Sequence, residues 1–441
     1  MEIGVFIGLL FFFIGIAIGI PLYLVFLASS LTMLILLQSS LSFIAGTFYY
    51  SLDNYILMAI GFFIFAGSLL SSAGLSDKLV DFSYLIIGKI KGGLIAAAIL
   101  AATFLGALTG SAVPVIAALI PLLVDRLEKM GYERKYTTAV LISSSFLGYL
   151  IPPSVPVLLY CLIAQQSVAA VLLSTVIPGL MLSTGYIILN YFICDRYMHP
   201  TNTTEIKIHN FTNREKINIV WDALPALGCP VIVLGGIYGG ICTPNEAGAL
   251  AVVYTLVIGL FVYRKLNIKN ILSNTHDALT TLGMICVLIA IGTVFARVLI
   301  REEVAQAAAS TLIGLFQSKA LILIMMNLFL LMLGMFIDGF PILVIAVPLL
   351  LPLITNIDVN LVHLGAIIVL NIGIGVASPP YAVSIFVGSR ISNVPYEDLI
   401  KPVLLFLFVV ALPVLILTTF IPALSCWLPT QILGLKVVGS W

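Results

Sequence analysis

The chain has 441 residues, 61% hydrophobic and only 9% charged, with a mean hydropathy of +1.20. Soluble domains carry about 25% charged residues. No water-soluble fold of this length hides so much apolar surface, so a soluble enzyme is excluded and the chain reads as an all-α polytopic membrane protein in a lipid bilayer. The net charge of +1 gives no sign of nucleic acid or another acidic partner; here the placement of charge matters, not its sum.

Met1-Glu2-Ile3 lacks the basic stretch of a secretory signal, so the chain is expected to open on a membrane helix. Apolar runs predict helices at about 4–20 and 22–38, divided by Pro21, and at 53–73. Residues 74–88 segregate Asp77, Lys78 and Asp81 from Leu79, Val80 and Phe82. This predicts an amphipathic helix at the interface, capped by Ser76. Residues 92–128 form two apolar legs around Gly106-Ala107-Leu108-Thr109-Gly110-Ser111. The legs, 92–105 and 112–128, span about 21 and 25 Å at 1.5 Å per residue. The first is too short for a hydrocarbon core of about 30 Å, which predicts a re-entrant hairpin over two full crossings. The segment 135–165 is broken at Gly148–Pro153, and a helix follows at about 168–193.

The polar stretch 195–220 divides a first half, 1–194, from a second, 221–427, and 428–441 reads as a tail. The second half repeats the plan. Helices are expected at about 223–241, 244–265 and 276–298, then an amphipathic helix at 301–316. A hairpin, 319–354, breaks at Gly334–Gly339; a broken helix, 361–391, is interrupted at Gly375–Pro380; a last helix covers about 398–427. Pro114, Pro121, Gly148, Pro152 and Pro153 fall on Pro341, Pro348, Gly375, Pro379 and Pro380 at a single offset of 227 residues. This is an internal repeat. Each half then crosses five times, for about ten transmembrane helices and two hairpins, and the second half is inserted upside down. Of the 20 Lys and Arg residues, all but Arg297, Arg301, Lys319 and Lys436 fall on one side. The positive-inside rule places that side, including the 195–220 loop, in the cytoplasm and both termini outside. Asn213 and Asn274 then face the cytoplasm and Asn360 the outside.

Unwound backbone is tolerated inside a bilayer only where it is buried in protein or lines a cavity. Two hairpin turns and two broken helices related by inversion would meet near the midplane. Their free carbonyls suit a small cation, and their half-helix N-termini an anionic substrate. Thr109, Ser111, Ser143, Ser144, Ser145 and Ser154 in the first half, and Asp338, Asn371, Ser378 and Ser384 in the second, are the polar residues at hand. The competing reading is that the Gly/Pro breaks are kinks and close-packing positions. Asp338, the one acidic side chain placed near membrane depth, is either functional or sits in a polar vestibule.

Thr243-Pro244-Asn245-Glu246 reads as a capping box at an outer helix end. Arg297 reads as a side chain that snorkels to the surface. The cysteines at 161, 194, 229, 242, 286 and 426 show no CxxC spacing, and the histidines at 199, 209, 276 and 363 form no metal-binding pair. No Walker A, GxSxG or HExxH sequence occurs, so neither ATP use nor hydrolysis is indicated.

Gly106-Ala107-Leu108-Thr109-Gly110-Ser111-Ala112, Lys129-Met130-Gly131-Tyr132, Ile151-Pro152-Pro153-Ser154, Thr243-Pro244-Asn245-Glu246-Ala247 and Ser378-Pro379-Pro380 together resemble the large membrane subunit of tripartite ATP-independent periplasmic (TRAP) transporters. The likeness runs from the first helix to about residue 427. Asn245 and Ser378 each stand where that family usually has Thr.

The resemblance implies an elevator-type, Na+-driven importer in the bacterial inner membrane. Hairpins and broken helices would move as a transport domain on a fixed scaffold. A periplasmic substrate-binding protein would deliver an organic anion, such as a dicarboxylate or a sialic acid. A small four-helix membrane subunit, expected to be encoded separately, would extend the scaffold. The resemblance also implies one Na+ site at Gly106, Thr109, Gly148, Ile151 and Pro153 and another at Gly334, Gly375, Ser378 and Tyr381. Ser111, Ser145, Asp338 and Asn371 are the substrate-binding candidates. Two further readings stand beside this one: a stand-alone Na+/carboxylate elevator symporter, and a scaffold or channel-like subunit without coupled transport.

Overall fold

A computed structural model describes residues 3–198, 212–315, 318–337 and 339–441. Helices α1 (Ile3–Ile18), α2 (Leu22–Leu36), α3 (Ser42–Leu52), α4 (Tyr55–Ser72) and α5 (Leu75–Ile87) come first. Then follow α6 (Gly93–Thr109), α7 (Ala112–Lys129), α8 (Arg134–Ser145), α9 (Leu147–Leu150), α10 (Val155–Ala164), α11 (Val168–Ser174) and α12 (Val176–Ile193). Beyond the 195–220 stretch, whose residues 199–211 lie outside the described set, come α13 (Asn213–Tyr238), α14 (Pro244–Val257), α15 (Ile268–Arg301) and α16 (Val304–Leu315). The chain continues through α17 (Lys319–Phe336), α18 (Gly339–Asn356), α19 (Leu361–Val376), α20 (Val383–Ser392), α21 (Tyr396–Phe406), α22 (Leu412–Phe420), α23 (Ala423–Leu433) and α24 (Leu435–Val438). Among the described residues, eight helices are long and apolar enough to cross a membrane. The count is nine if Arg134–Leu150 and Val155–Ala164, bent by 42° at their break, form one span.

Several boundaries differ from the sequence expectation, each for a local reason. α3 was not expected. α5 is entered through Gly74, in a left-handed conformation at φ +71°, and not through a Ser76 cap; Ser76 lies inside the helix. α13 begins at a capping box in which Thr212 and Glu215 satisfy each other's backbone N–H groups, ten residues before the apolar run. α15 starts where Asn267 accepts from the Asn270 N–H, so Asn274 is a buried helical residue, not a loop position. The last long helix ends at Phe420, and Pro422 starts a separate helix, α23, that takes up much of the expected tail. Both hairpin turns are tighter than expected: α6 continues through Gly106 to Thr109, and α17 through Gly334 to Phe336.

The helices pack in two groups. In one, α14 lies against α4, α13 against α14, α1 against α2, and α15 against α2, α3 and α4. In the other, α7 and α20 pack on α8, α17 on α19, α10 on α18, and α12 on α6 and α9. Arg134 ties this second group together at one end. Its guanidinium holds Asp125 at 2.6 Å and Glu128 at 2.7 Å on α7, and donates to the Ser392 carbonyl at the end of α20 at 2.8 Å. Tyr136 on α8 donates to Asn190 on α12 at 2.9 Å, and Asn190 donates to the Gly92 carbonyl at 3.0 Å. The two groups meet where α4 packs on α6 and α10 and where α15 packs on α18.

The element order gives a labelling test of the inverted insertion. In a cysteine-free background, Asn213→Cys and Lys269→Cys should react with an impermeant maleimide only from the cytoplasmic face of oriented vesicles, and Ser318→Cys only from the other. Labelling of Ser318→Cys and Asn213→Cys from the same face would contradict it.

Candidate functional site

A cavity of about 580 Å³ lies between the two packing groups. One wall is α4 and the first half of α15, contributing Gly67, Ser68, Ser71, Ser72, Asn274, Asp277 and Thr281. The facing wall is Thr109 and Ser111 at the first hairpin turn, Val113 and Pro114 in the first turn of α7, Tyr149 and Val155 flanking the first break, and Phe340 at the start of α18. Helices α7, α10 and α18 therefore all begin at this cavity. Each turns the positive end of its dipole toward it. Three such ends converging on one space favour an anionic guest. Ser111 is the N-cap residue of α7 but makes no side-chain capping bond, so its hydroxyl is not used by the helix.

The first break is shaped by what proline lacks. Pro152 and Pro153 have no N–H, so the carbonyls of Gly148 and Tyr149 lose their i+4 donors. Ser154 replaces one of them: its hydroxyl donates to the Tyr149 carbonyl at 2.5 Å and accepts from the Val157 N–H, capping α10. The Gly148 carbonyl is left for another partner. Gly148 lies against Gly106 on α6, where a Cβ on Gly106 would sit 2.6 Å from the Gly148 Cα. Gly110, at φ +60°, ends α6 by donating to the Gly106 carbonyl at 2.8 Å, and a Cβ there would meet the Pro153 carbonyl oxygen at 2.8 Å. The Thr109 hydroxyl donates to the Ser111 carbonyl at 3.2 Å. Gly106, Thr109, Gly148 and Pro153 are thus brought to one place, with Ile151 in the break between them.

The second break repeats the proline pair and the glycine contact, but its glycine carbonyl keeps a partner. Pro379 and Pro380 withdraw the i+4 donors of Gly375 and Val376. The Ser378 N–H donates to the Gly375 carbonyl at 2.8 Å, and the Ser378 hydroxyl to the Ile374 carbonyl at 2.7 Å. A Cβ on Gly375 would lie 2.6 Å from the Gly334 Cα, and one on Gly334 2.7 Å from the Gly375 Cα. The Tyr381 N–H donates to the Met335 carbonyl at 3.3 Å, and its ring contacts Phe336. Gly334, Gly375, Ser378 and Tyr381 are therefore also assembled. Both clusters offer neutral backbone and hydroxyl oxygens, a donor set that fits a small hard cation at broken-helix ends. Among the described residues no group of three or more His, Cys, Asp or Glu could hold a metal.

The substrate-binding candidates are not brought together. Ser111 lines the cavity. Ser145 is fully buried in α8 and donates to the Ile142 carbonyl at 2.8 Å. Asn371 is fully buried and donates to Asn327 at 2.8 Å, which in turn donates to Thr419 at 2.9 Å. Asp338 lies outside the described residues. Glu246 accepts from the Thr243 N–H at 2.7 Å and its hydroxyl at 2.8 Å, so it closes the capping box of α14. The α4–α15 wall of the cavity is not among the sequence expectations. Ser68 and Ser72 both donate to Asn274, at 2.8 and 2.9 Å. Their spacing, and that of Asn274, Asp277 and Thr281, puts a polar stripe on one face of each helix, and this was the available signal.

Comparison with known proteins agrees with this architecture. The family model described as "Tripartite ATP-independent periplasmic transporter, DctM component" matches residues 9–424. The chain is 35% identical over 94% of its length to the isethionate TRAP transporter permease protein DctMQ of Oleidesulfovibrio alaskensis, but spans only 64% of that relative's length. It is 30% identical to the sialic acid TRAP transporter large permease protein SiaM of Vibrio cholerae, over 97% of both chains. It is 32% identical to the C4-dicarboxylate TRAP transporter large permease protein DctM of Pseudomonas aeruginosa, over 91% of this chain and 93% of that one. These names describe permeases, not enzymes. The fold resembles that of the YdaH transporter of Alcanivorax borkumensis, with a TM-score of 0.61 at 14% identity over 88% of each chain. It also resembles Neisseria gonorrhoeae MtrF, with a TM-score of 0.63 at 13% identity over 86% of this chain and 83% of that one. By the family match over nearly its whole length, the chain belongs to the DctM component family of tripartite ATP-independent periplasmic transporters, as the large, multi-pass membrane subunit.

Proposed function

We propose that the chain is the transporting subunit of a Na+-coupled importer of a small organic anion in the bacterial inner membrane, with both termini on the periplasmic side. Its partners are a periplasmic substrate-binding protein and a small four-helix membrane subunit. The observation that carries the reading is the convergence of three helix N-termini on one cavity, flanked by two glycine-paired breaks that free neutral oxygens. The N-termini suit the anion, and the oxygen clusters suit Na+ as co-transported cargo. The relatives are named for isethionate, sialic acid and C4-dicarboxylate, all acids that are ionised at neutral pH.

An elevator motion accounts for the unequal contacts between the groups. α4 and the second half of α15 occupy matching places in the two halves. Yet α4 packs on α6 and α10 of its own half, whereas α15 packs on α18. Gly67 on α4 even meets the first hairpin turn backbone to backbone: a Cβ there would lie 2.9 Å from the Thr109 Cα. Exchanging these contacts between halves would carry the hairpin turns to the other face. The present cavity runs beside Ser71, Ser72 and Asn274, at the end of the scaffold that the charge distribution assigns to the cytoplasm.

Reconstitution tests the tripartite reading. In proteoliposomes with an inward Na+ gradient, the chain alone should not take up the anion, and uptake should appear when the small subunit and the loaded binding protein are added. Full uptake by the chain alone would favour a stand-alone symporter.

The glycine pairs give an ordered mutant series. Gly375→Ala should already damage Na+-coupled uptake severely, since its Cβ meets unyielding Gly334 backbone at 2.6 Å. Gly148→Ala should be milder, because its new contacts lie at 3.0 Å and beyond. Gly148→Val and Gly375→Val should each lower uptake about a hundredfold or more, roughly 2.7 kcal/mol in the barrier, while the protein still inserts and purifies. Ser378→Ala should cost less, and Ser378→Thr least, since both keep the backbone oxygens. The measurement is uptake against Na+ concentration in the complete system. Wild-type Na+ affinity and steepness in both Val variants would leave the breaks as packing kinks.

A further inference from the structure

Helix α15 lines a second cavity at the other end of the bundle. This cavity holds about 340 Å³ and lies between α3 and the last turns of α15 on one side and the ends of α10 and α18 on the other. Arg297 lines it, with Tyr50, Ser51, Asn54, Thr293 and Gln165 as polar neighbours, and no carboxylate is among the lining residues. Among the described residues, Asp277 lines the first cavity and no Lys or Arg does. Both side chains stand on the same scaffold helix. Twenty residues separate them, about 30 Å at 1.5 Å per residue. α15 therefore carries a guanidinium to the second cavity and a carboxylate to the wall of the first that faces the hairpin turn.

An arginine that faces only lipid extends its head group to the interface. Arg297 instead faces a space with hydroxyl and amide neighbours and a volume within the range of small-ligand sites. Asn54 already uses its side-chain carbonyl to cap α4, accepting from the Ile56 N–H at 3.0 Å. What it has left for a guest is its NH2 group, a donor that suits an anion. The planar guanidinium offers paired N–H groups that match the two oxygens of a carboxylate or sulfonate.

We propose that the Arg297 cavity is a receiving site for the oxoanion group of the transported molecule, occupied before that molecule reaches the hairpin turns. The proposal rests on the transport reading above and adds to it an entry site on the scaffold. A lipid phosphate offers similar oxygens, so the test must separate cargo from head group.

The test uses the complete three-component system in proteoliposomes. Succinate, N-acetylneuraminate and isethionate are the radiolabelled probes, and vesicles are made of phosphatidylcholine with and without phosphatidylglycerol. Arg297→Gln should raise the KM for whichever probe the wild type takes up by about tenfold or more, the scale of a lost charge-assisted bond, with kcat little changed. Arg297→Lys should recover part of the loss, which a misfolded variant would not. An unchanged KM overturns the site, and an effect confined to vesicles with phosphatidylglycerol reassigns it to a lipid head group. A wild type with no Na+-dependent uptake of any probe overturns the transport reading and this proposal together. A substrate-free arm stands apart from uptake: Thr293→Cys should react faster with an anionic than with a cationic methanethiosulfonate, and Arg297→Gln should abolish that preference. Equal preference in both backgrounds overturns the site.

Discussion

The structure depends on one constraint: a backbone N–H or C=O inside hydrocarbon must find a partner or cost several kcal/mol. Two Pro-Pro pairs defy it at membrane depth. Each withdraws two donors from the turn before it, and the surrounding protein answers with what it has. Ser154 returns a hydroxyl to the Tyr149 carbonyl, and the Ser378 N–H turns back to Gly375. What stays without its helical donor is the Gly148 carbonyl at the first break and the Val376 carbonyl at the second. Gly106 against Gly148, and Gly334 against Gly375, let a hairpin leg and a broken helix touch backbone to backbone.

The rest of the architecture serves these two places. Arg134, Tyr136 and Asn190 lash the first hairpin, the first broken helix and α12 into one body, with the end of α20 held by the same guanidinium. α1 to α4 and α13 to α15 form the other body. The seam between them is narrow on the α15 side and broad on the α4 side, and the larger cavity opens beside it. The contacts across the seam are few beside those within each body, and it is there that the cavity lies.

Much of this was legible in the sequence, and the reason is specific. Gly148, Gly375 and the Pro-Pro pairs stand at close backbone contacts and helix breaks, features that Gly and Pro mark directly in a sequence. The capping box at Thr243 was read correctly because it is written in four consecutive residues. The box at Thr212 is written just as plainly, but the apolar run begins ten residues later, and hydrophobicity marks only the apolar part of a helix that starts before it. α15 began early for the same reason. α3 was invisible because Ser42–Leu52 has neither a charged stop nor a proline. The scaffold wall of the cavity, with Ser68, Ser72 and Asn274, was illegible in a deeper sense. Which faces of two long helices meet is decided by packing between distant segments. Ser145 and Asn371 fail as cavity residues on the same ground: a polar residue near a break in sequence can still turn its side chain into the core.

The central claim is that the two breaks are cation sites made of backbone. Hydrogen exchange of the purified chain in detergent, in Na+ against equimolar choline, addresses it without substrate or partners. The account predicts Na+-specific slowing confined to peptides spanning 106–111, 148–154, 334–337 and 375–382, and lost in Gly148→Val and Gly375→Val at the affected break. Exchange that is identical in the two salts across all four peptides, or Na+ protection that survives both substitutions, would contradict it.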